Sequence, residues 1–230
     1  MTKIFCDIAD IKVIKKFNKK KLVKGFTTNP SLMRKAGAKN YSKYCKDILK
    51  ITKKPISFEV FADDQKNIIN QALKIKNWGK QIYVKVPVTN SKGIFLGKVI
   101  KYLNNKNIKL NITAVYTSKQ TYQILKKINK KTKVIISIFA GRMADKGKDP
   151  IPEFKRSIHM ARKYKNVEIL WASVREPYNY LQAKQLKCHI MTAPPSIIEK
   201  IEKFGKSFRK LTIETVKTFL IDSKKSKFKI

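Results

Sequence analysis

Eight short runs of β-branched and apolar residues alternate along the chain with stretches whose apolar positions recur at helical spacing. The runs are Ile4–Cys6, Gly25–Thr27, Ile56–Val60, Ile82–Pro87, Leu110–Thr113, Val134–Phe139, Glu168–Ala172 and His189–Thr192. Between them, residues 64–76 place Ile68, Ile69, Ala72, Leu73 and Ile75 on one helical face, and residues 91–103 do the same with Ile94, Phe95, Val99, Ile100 and Leu103. Residues 117–128 and 152–164 follow the same period. Asp63-Asp64, Ser91, Thr117-Ser118 and Pro152 mark helix starts. Eight strand–helix repeats predict an α/β fold of parallel strands, closed as a (β/α)8 TIM barrel. The chain carries no glycine-rich fingerprint or P-loop, which argues against a nucleotide-binding open sheet. Beyond Lys203, the apolar positions Phe208, Leu211, Ile213, Val216, Phe219 and Leu220 predict one extra amphipathic helix, and residues 223–230 a frayed, lysine-rich end. Residues 1–205 are therefore expected to form the barrel, with 206–230 a C-terminal helix and tail of the same domain. That helix either caps its own barrel or packs on a neighbour.

Composition narrows the class. A chain of 230 residues, 43% of them hydrophobic, suits one barrel with a full core. No apolar run reaches the ~18 residues of a membrane span. The opening Met1–Asp7 does not read as a signal peptide, because its apolar run is short and an acid follows at once. Cys6, Cys45 and Cys188 are scattered, as reduced thiols of a cytoplasmic protein are. His159 and His189 have no companion ligands, so no metal is expected. The net charge of +38 would ordinarily suggest nucleic acid. Its lysines, however, are spread along nearly the whole length, arginine is scarce, and aromatics are not interleaved as stacking platforms. The charge reads as a compositional bias, and nucleic acid is not an expected partner.

Chemistry-bearing residues gather where a barrel puts its function, at the C-terminal ends of the strands. Lys85 lies between Val84 and Val86. If its strand is buried, the ammonium leaves water, its pKa falls, and the neutral amine becomes a nucleophile toward carbonyl carbon. Otherwise it is a strand-end lysine whose head reaches solvent. Asp7 is an inward carboxylate or the N-cap of the next helix. Thr27-Thr28-Asn29-Pro30 is a site loop or only a turn, and Glu59 faces a barrel interior or is an exposed strand charge. Asn111-Ile112-Thr113 also spells a glycosylation sequon, which carries no weight without a secretory signal. Ser137 and Ser173 close two further strands. Arg142 and Arg175 follow strands six and seven, where barrels commonly hold phosphate, or else form rim ion pairs of little consequence. One lysine, two carboxyl groups and two arginines point to a carbonyl compound bearing a phosphate.

In order and spacing, Thr27-Thr28-Asn29-Pro30-Ser31-Leu32, Val84-Lys85-Val86-Pro87, Asn111-Ile112-Thr113, Phe139-Ala140-Gly141-Arg142, Ala172-Ser173-Val174-Arg175 and Cys188–Thr192 resemble the transaldolases, especially the short form related to fructose-6-phosphate aldolase. The resemblance covers about residues 3–205. It implies a class I mechanism without metal or organic cofactor. A dihydroxyacetone unit would pass from sedoheptulose 7-phosphate to glyceraldehyde 3-phosphate, giving erythrose 4-phosphate and fructose 6-phosphate. Lys85 matches the Schiff-base lysine and Asp7 the acceptor of the C4 hydroxyl proton. Glu59 and Thr113 match the holders of a proton-relaying water. Asn29 and Asn111 match the groups that bind the dihydroxyacetone hydroxyls, with Thr27 and Ser137 beside them. Arg142, Ser173 and Arg175 match the phosphate grip. Glu59 and Phe139 stand where the related aldolases carry glutamine and usually tyrosine, which favours transfer over release of free dihydroxyacetone. Ile138 and Ala140 in Ser137–Ala140, then Trp171, Glu176 and Ala193-Pro194-Pro195, depart from the family pattern and leave the sugar preference open. The resemblance also implies a homo-oligomer, pentamer or decamer, joined through the C-terminal helix. From a different class, a basic barrel that only binds polyanions is the alternative.

Overall fold

The computed structural model describes residues 1–229; residue 230, the last of the lysine-rich end, lies outside the described residues. Strands β1 (Lys3–Asp7), β2 (Val23–Thr27), β3 (Ile56–Glu59), β4 (Ile82–Pro87), β5 (Leu110–Val115), β6 (Val134–Phe139), β7 (Val167–Ala172) and β8 (Ile190–Ala193) are all parallel. Each pairs with the next, and β8 returns to β1, closing the barrel in chain order. Helices α1 (Ile11–Asn18), α2 (Pro30–Lys35), α3 (Tyr41–Ile51), α4 (Gln65–Lys76), α5 (Gly97–Asn105), α6 (Ser118–Leu125), α7 (Ala140–Ala144), α8 (Ile151–Ala161), α9 (Tyr178–Gln185) and α10 (Pro195–Ile201) fill the connections. Several begin on side-chain caps: Asp10, Asn29, Asn40, Asp64 and Thr117 each accept from a backbone N–H three residues on. Asp10, not Asp7, caps α1.

Two cores follow from strand alternation. Outward residues such as Cys6, Phe26, Phe58, Val84, Ile112, Ile136 and Trp171 pack beneath the helices. A smaller inner cluster of Phe5, Tyr83, Ile135, Leu170, Ala172 and Ile190 fills the barrel itself. Gly25 makes room for it: a Cβ there would lie 2.6 Å from the Phe5 ring. One step further along the same inward positions, the residues turn polar. Phe5 is followed by Asp7, Tyr83 by Lys85, Ile135 by Ser137 and Ile190 by Thr192. The barrel is thus plugged below and chemically open above.

The expected helix beginning at Ser91 is not formed; α5 starts at Gly97. Asn90 explains the delay. Its side chain accepts from Lys92 N and Ile94 N, Gly93 turns at φ +77°, and Ser91 donates twice to Asp63. Local turn chemistry there outweighs an apolar spacing that happens to fit a helix. The helices expected over 117–128 and 152–164 end at Leu125 and Ala161. The pair α2 and α3 and the short α7 were not foreseen.

Helix α11 (Phe208–Ser226) has no buried residue. Phe208 is 89% exposed, and Val216, Phe219, Leu220 and Ile221 are all more than half exposed. Among the described residues no helix is long and apolar enough to cross a membrane.

Candidate active site

Lys85 stands on the inner wall of β4 and is 6% exposed. Its Nζ lies 2.9 Å from Glu59 Oε2 on the neighbouring strand and donates to the Thr28 carbonyl at 3.0 Å. The β3–β4 register sets the first contact by pairing Glu59 with Lys85. Glu59 is itself held from behind. Tyr41, the first residue of α3, donates its hydroxyl to the Glu59 carbonyl at 2.8 Å and accepts from the Glu59 N–H at 3.0 Å. The phenol replaces strand pairing on the side of β3 where β2 has already ended.

Two further hydrogen-bond chains cross the interior. Thr27 donates to Asp7 Oδ1 at 2.6 Å, and its hydroxyl lies 2.6 Å from that of Thr192. Since Thr27 spends its proton on Asp7, Thr192 is the donor of that second bond. Ser137 donates to Asn111 Oδ1 at 2.6 Å, and Asn111 Nδ2 donates to Ser57 Oγ at 2.9 Å, which fixes the Asn111 amide. Thr113 Oγ is buried without a partner, so it has hydrogen-bonding capacity to spare for something in the cavity. Burial pushes the Asp7 carboxyl above the usual carboxylate range, against the opposing pull of Lys85 and Thr27.

These side chains line a cavity of about 210 Å³. Every residue singled out in the sequence lines it except Glu59, which reaches it through Lys85. Asn29 both lines the cavity and caps α2 by accepting from Leu32 N at 2.9 Å, leaving its amide nitrogen uncommitted. At the mouth, Arg142 lies over the Phe139 ring, 5.5 Å from its centroid. Arg175 is paired edge-on with Asp145, its Nε 3.0 Å from Oδ1 and its Nη2 2.5 Å from Oδ2. Gly141 brings α7 and the loop after β7 together: a Cβ there would lie 1.7 Å from the Ser173 carbonyl oxygen. Ser173 itself adopts a left-handed φ of 64°.

Thr192, Asp145 and Tyr41 belong to this assembly but were not sequence candidates. Strand alternation could have found Thr192, two residues beyond inward-facing Ile190. Nothing in the sequence pairs Asp145 with Arg175 or Tyr41 with Glu59. The cysteines take no part. All three are buried and free, and burial pushes Cys45 and Cys188 up to about 12. Among the described residues no cluster of histidine, cysteine and carboxylate side chains has metal-holding geometry.

Inside the closed (β/α)8 barrel a buried lysine thus lies under a polar cavity rimmed by arginine, and the family comparison makes the chain an enzyme of the aldolase and transaldolase kind. The fold likeness extends to a crystal structure of KGPDC from Streptococcus mutans, with TM-score 0.57 and 10% identity over 84% of this chain and 88% of that one. The chain belongs to the transaldolase/fructose-6-phosphate aldolase family, whose model matches residues 4–230. It is 33% identical to the "Probable transaldolase" of Nitrosopumilus maritimus over 92% of this chain and 97% of the relative. It is 31% identical to that of a Thermoanaerobacter species over 99% and 100%.

Proposed function

We propose that the protein is a transaldolase that moves a dihydroxyacetone unit between sugar phosphates through a Schiff base on Lys85. The observation that carries this reading is the setting of Lys85: an amine enclosed at the cavity floor, 2.9 Å from the Glu59 carboxylate. The amine attacks the C2 carbonyl of a ketose phosphate, and loss of water gives an iminium. Asp7 takes the C4 hydroxyl proton, the C3–C4 bond breaks, and its electron pair moves to the iminium nitrogen. The aldose phosphate leaves, and an acceptor aldehyde adds to the resulting enamine by the reverse sequence. Hydrolysis then frees the lysine. Glu59 and the unpartnered Thr113 hydroxyl suit a water that shuttles protons in imine formation and breakdown. Asn29, Asn111, Thr27 and Ser137 hold the three-carbon unit. Arg142, Ser173 and Arg175 grip the phosphate.

Borohydride reduction in the presence of fructose 6-phosphate tests the mechanism. Substrate mass on Lys85 is expected; a folded protein without that adduct ends the proposal. A second reading, an aldolase that releases dihydroxyacetone, is open because the family holds both activities. Glu59 and Phe139 favour transfer, because no phenol stands at position 139 to protonate the enamine. Assays with and without erythrose 4-phosphate separate the two: release without acceptor supports the aldolase.

The rest of the assignment follows. Residues 1–205 carry the reaction, and α11, with its uncovered apolar face, joins copies into a pentamer or decamer. Three free, buried cysteines suit the reducing cytoplasm.

A further inference from the structure

Lysine looks evenly scattered in the sequence, but the barrel sorts it. Each connection from a helix into the next strand returns the chain to the N-terminal end of the barrel. All seven of these connections carry lysine or arginine, none carries aspartate or glutamate, and lysine is their commonest residue. The opposite end is mixed. Asp10, Asp63, Asp64, Asp149 and Glu176 there offset bases such as Lys92 and Lys148. A lysine bias without sidedness would load both ends alike, and the helix dipoles add to the preference for cations at this one.

The carboxylates at the barrel's own strand and helix ends on this face are already engaged: Glu168 pairs with Lys3 and Glu202 with Lys20. Two recesses open on the face. One is lined by Lys3, Lys133, Arg162, Lys165 and His189 beside Glu168, and the other by Lys76, Lys80 and Lys109. Like charges crowd there. Lys109 is pushed below the usual lysine range by partial burial and then by Lys133, and Lys54 by partial burial and then by Lys24.

We propose that the N-terminal end of the barrel, facing away from the catalytic cavity, is a docking surface for the phosphate backbone of nucleic acid. The side-chain chemistry selects that occupant. The seven connections expose no large apolar side chain to wedge into a bilayer. Apart from Arg162 they carry lysine point charges in place of arginine forks, which suits backbone phosphates and not base edges. Binding is therefore sequence-indifferent and steeply salt-dependent. Because the surface lies at the opposite end from Lys85, nucleic acid and sugar phosphate bind together. The proposal is independent of the reaction assigned to the cavity.

The test compares two charge-matched variants. The first changes Lys21, Lys53, Lys80, Lys131, Lys165 and Lys187 to glutamine, all exposed in these connections. The second changes Lys12, Lys43, Lys66, Lys98, Lys119 and Lys148 to glutamine, the first five exposed in the first turns of helices and Lys148 exposed in the loop before α8, all toward the other end. Fluorescence anisotropy with an RNA oligonucleotide and a DNA of the same sequence, at about 0.15 M salt, reads affinity. The first variant should lose at least tenfold, with its salt slope lowered by up to about four if all six lysines contact phosphate on a single strand. The second should stay within about twofold. The stronger of the RNA and DNA signals names the source. Equal losses in both variants, or no loss in the first, overturn the proposal, as does binding of phosphatidylglycerol vesicles but neither nucleic acid. A footprint on the wild type gives an independent reading: bound RNA should protect the connection lysines, not the helix lysines, from acetic anhydride.

Discussion

Gly141→Ala tests whether the phosphate end of the cavity depends on the contact between α7 and the loop after β7. The added Cβ would lie 1.7 Å from the Ser173 oxygen, whereas non-bonded carbon contacts settle near 3.5 Å. The two segments must separate by roughly 1.5 Å or more. Gly141 sits within a helix and carries no positive φ, so the effect is steric and not conformational. Overpacking of this kind costs about 1–3 kcal/mol of stability. The kinetic cost is more telling. Arg142 follows Gly141 directly, and Arg175 lies two residues beyond Ser173, so the separation widens the grip on the phosphate. A misplacement of about 1 Å costs on the order of 10²-fold, close to 2.7 kcal/mol in kcat/KM for a phosphorylated ketose. Borohydride trapping of unphosphorylated dihydroxyacetone on Lys85 should change far less. Gly147→Ala is the control. It has φ +69° with nothing within 4 Å of its added Cβ, so it should cost stability of about 1 kcal/mol while leaving the kinetics alone. Wild-type kcat/KM in Gly141→Ala would refute the argument.

Asp7→Asn should lower C–C cleavage about 10²–10⁴-fold while leaving imine trapping on Lys85 intact. Because the folded pKa of Asp7 is raised, the native state holds its proton longer than the unfolded chain. Stability therefore falls as pH rises from the unfolded value of about 3.9 through the higher folded one. The asparagine variant should accordingly melt higher than wild type at neutral pH and equally below about pH 3.9; no gain at neutral pH would contradict the burial argument. Asp145→Asn should raise KM for phosphorylated ketoses several-fold with little change in melting temperature, because an exposed pair adds little stability but orients Arg175; an unchanged KM would remove Asp145 from that role. Deleting residues 206–230 should abolish the oligomer in sedimentation and leave the barrel folded, since α11 has no buried residue; a truncated barrel that unfolds would show otherwise.

The inner wall of the barrel was readable because strand alternation has a fixed period. Once Lys85 is placed inward, Tyr83 falls below it, and the same alternation within the other strands lets Asp7, Glu59, Thr113 and Ser137 face one interior. Thr192 obeys the same rule; its strand entered the resemblance through Cys188–Thr192, but no role attached to its hydroxyl. The connections were harder. The register of residues 88–96 depends on Asn90 bonding its own turn and on Asp63, 28 residues upstream, accepting from Ser91. No periodicity reports either. Tyr41 and Asp145 were out of reach for a related reason: each acts on a partner far away in sequence, through geometry that exists only after the barrel closes.

The same repeat that made the cavity legible concealed the opposite end. A (β/α)8 chain alternates its two ends at regular intervals, so residues from either end look interspersed when read in order. At the C-terminal ends of the strands the residue types differ, lysine in one, aspartate in another, arginine in a third, and their variety signals chemistry. At the N-terminal end one residue type recurs, and recurrence of a single type cannot be told from a biased composition until the chain is folded. The discriminating observation is not the number of lysines but where the carboxylates are. Asp10 and Asp64 cap helices at the catalytic end because a cap belongs at a helix N-terminus, and the helices that follow strands begin at that end. Helix C-termini lie at the other, where the dipole favours cations. Part of the sidedness is thus built into the fold, and the paired lysine variants ask whether what exceeds it has a partner.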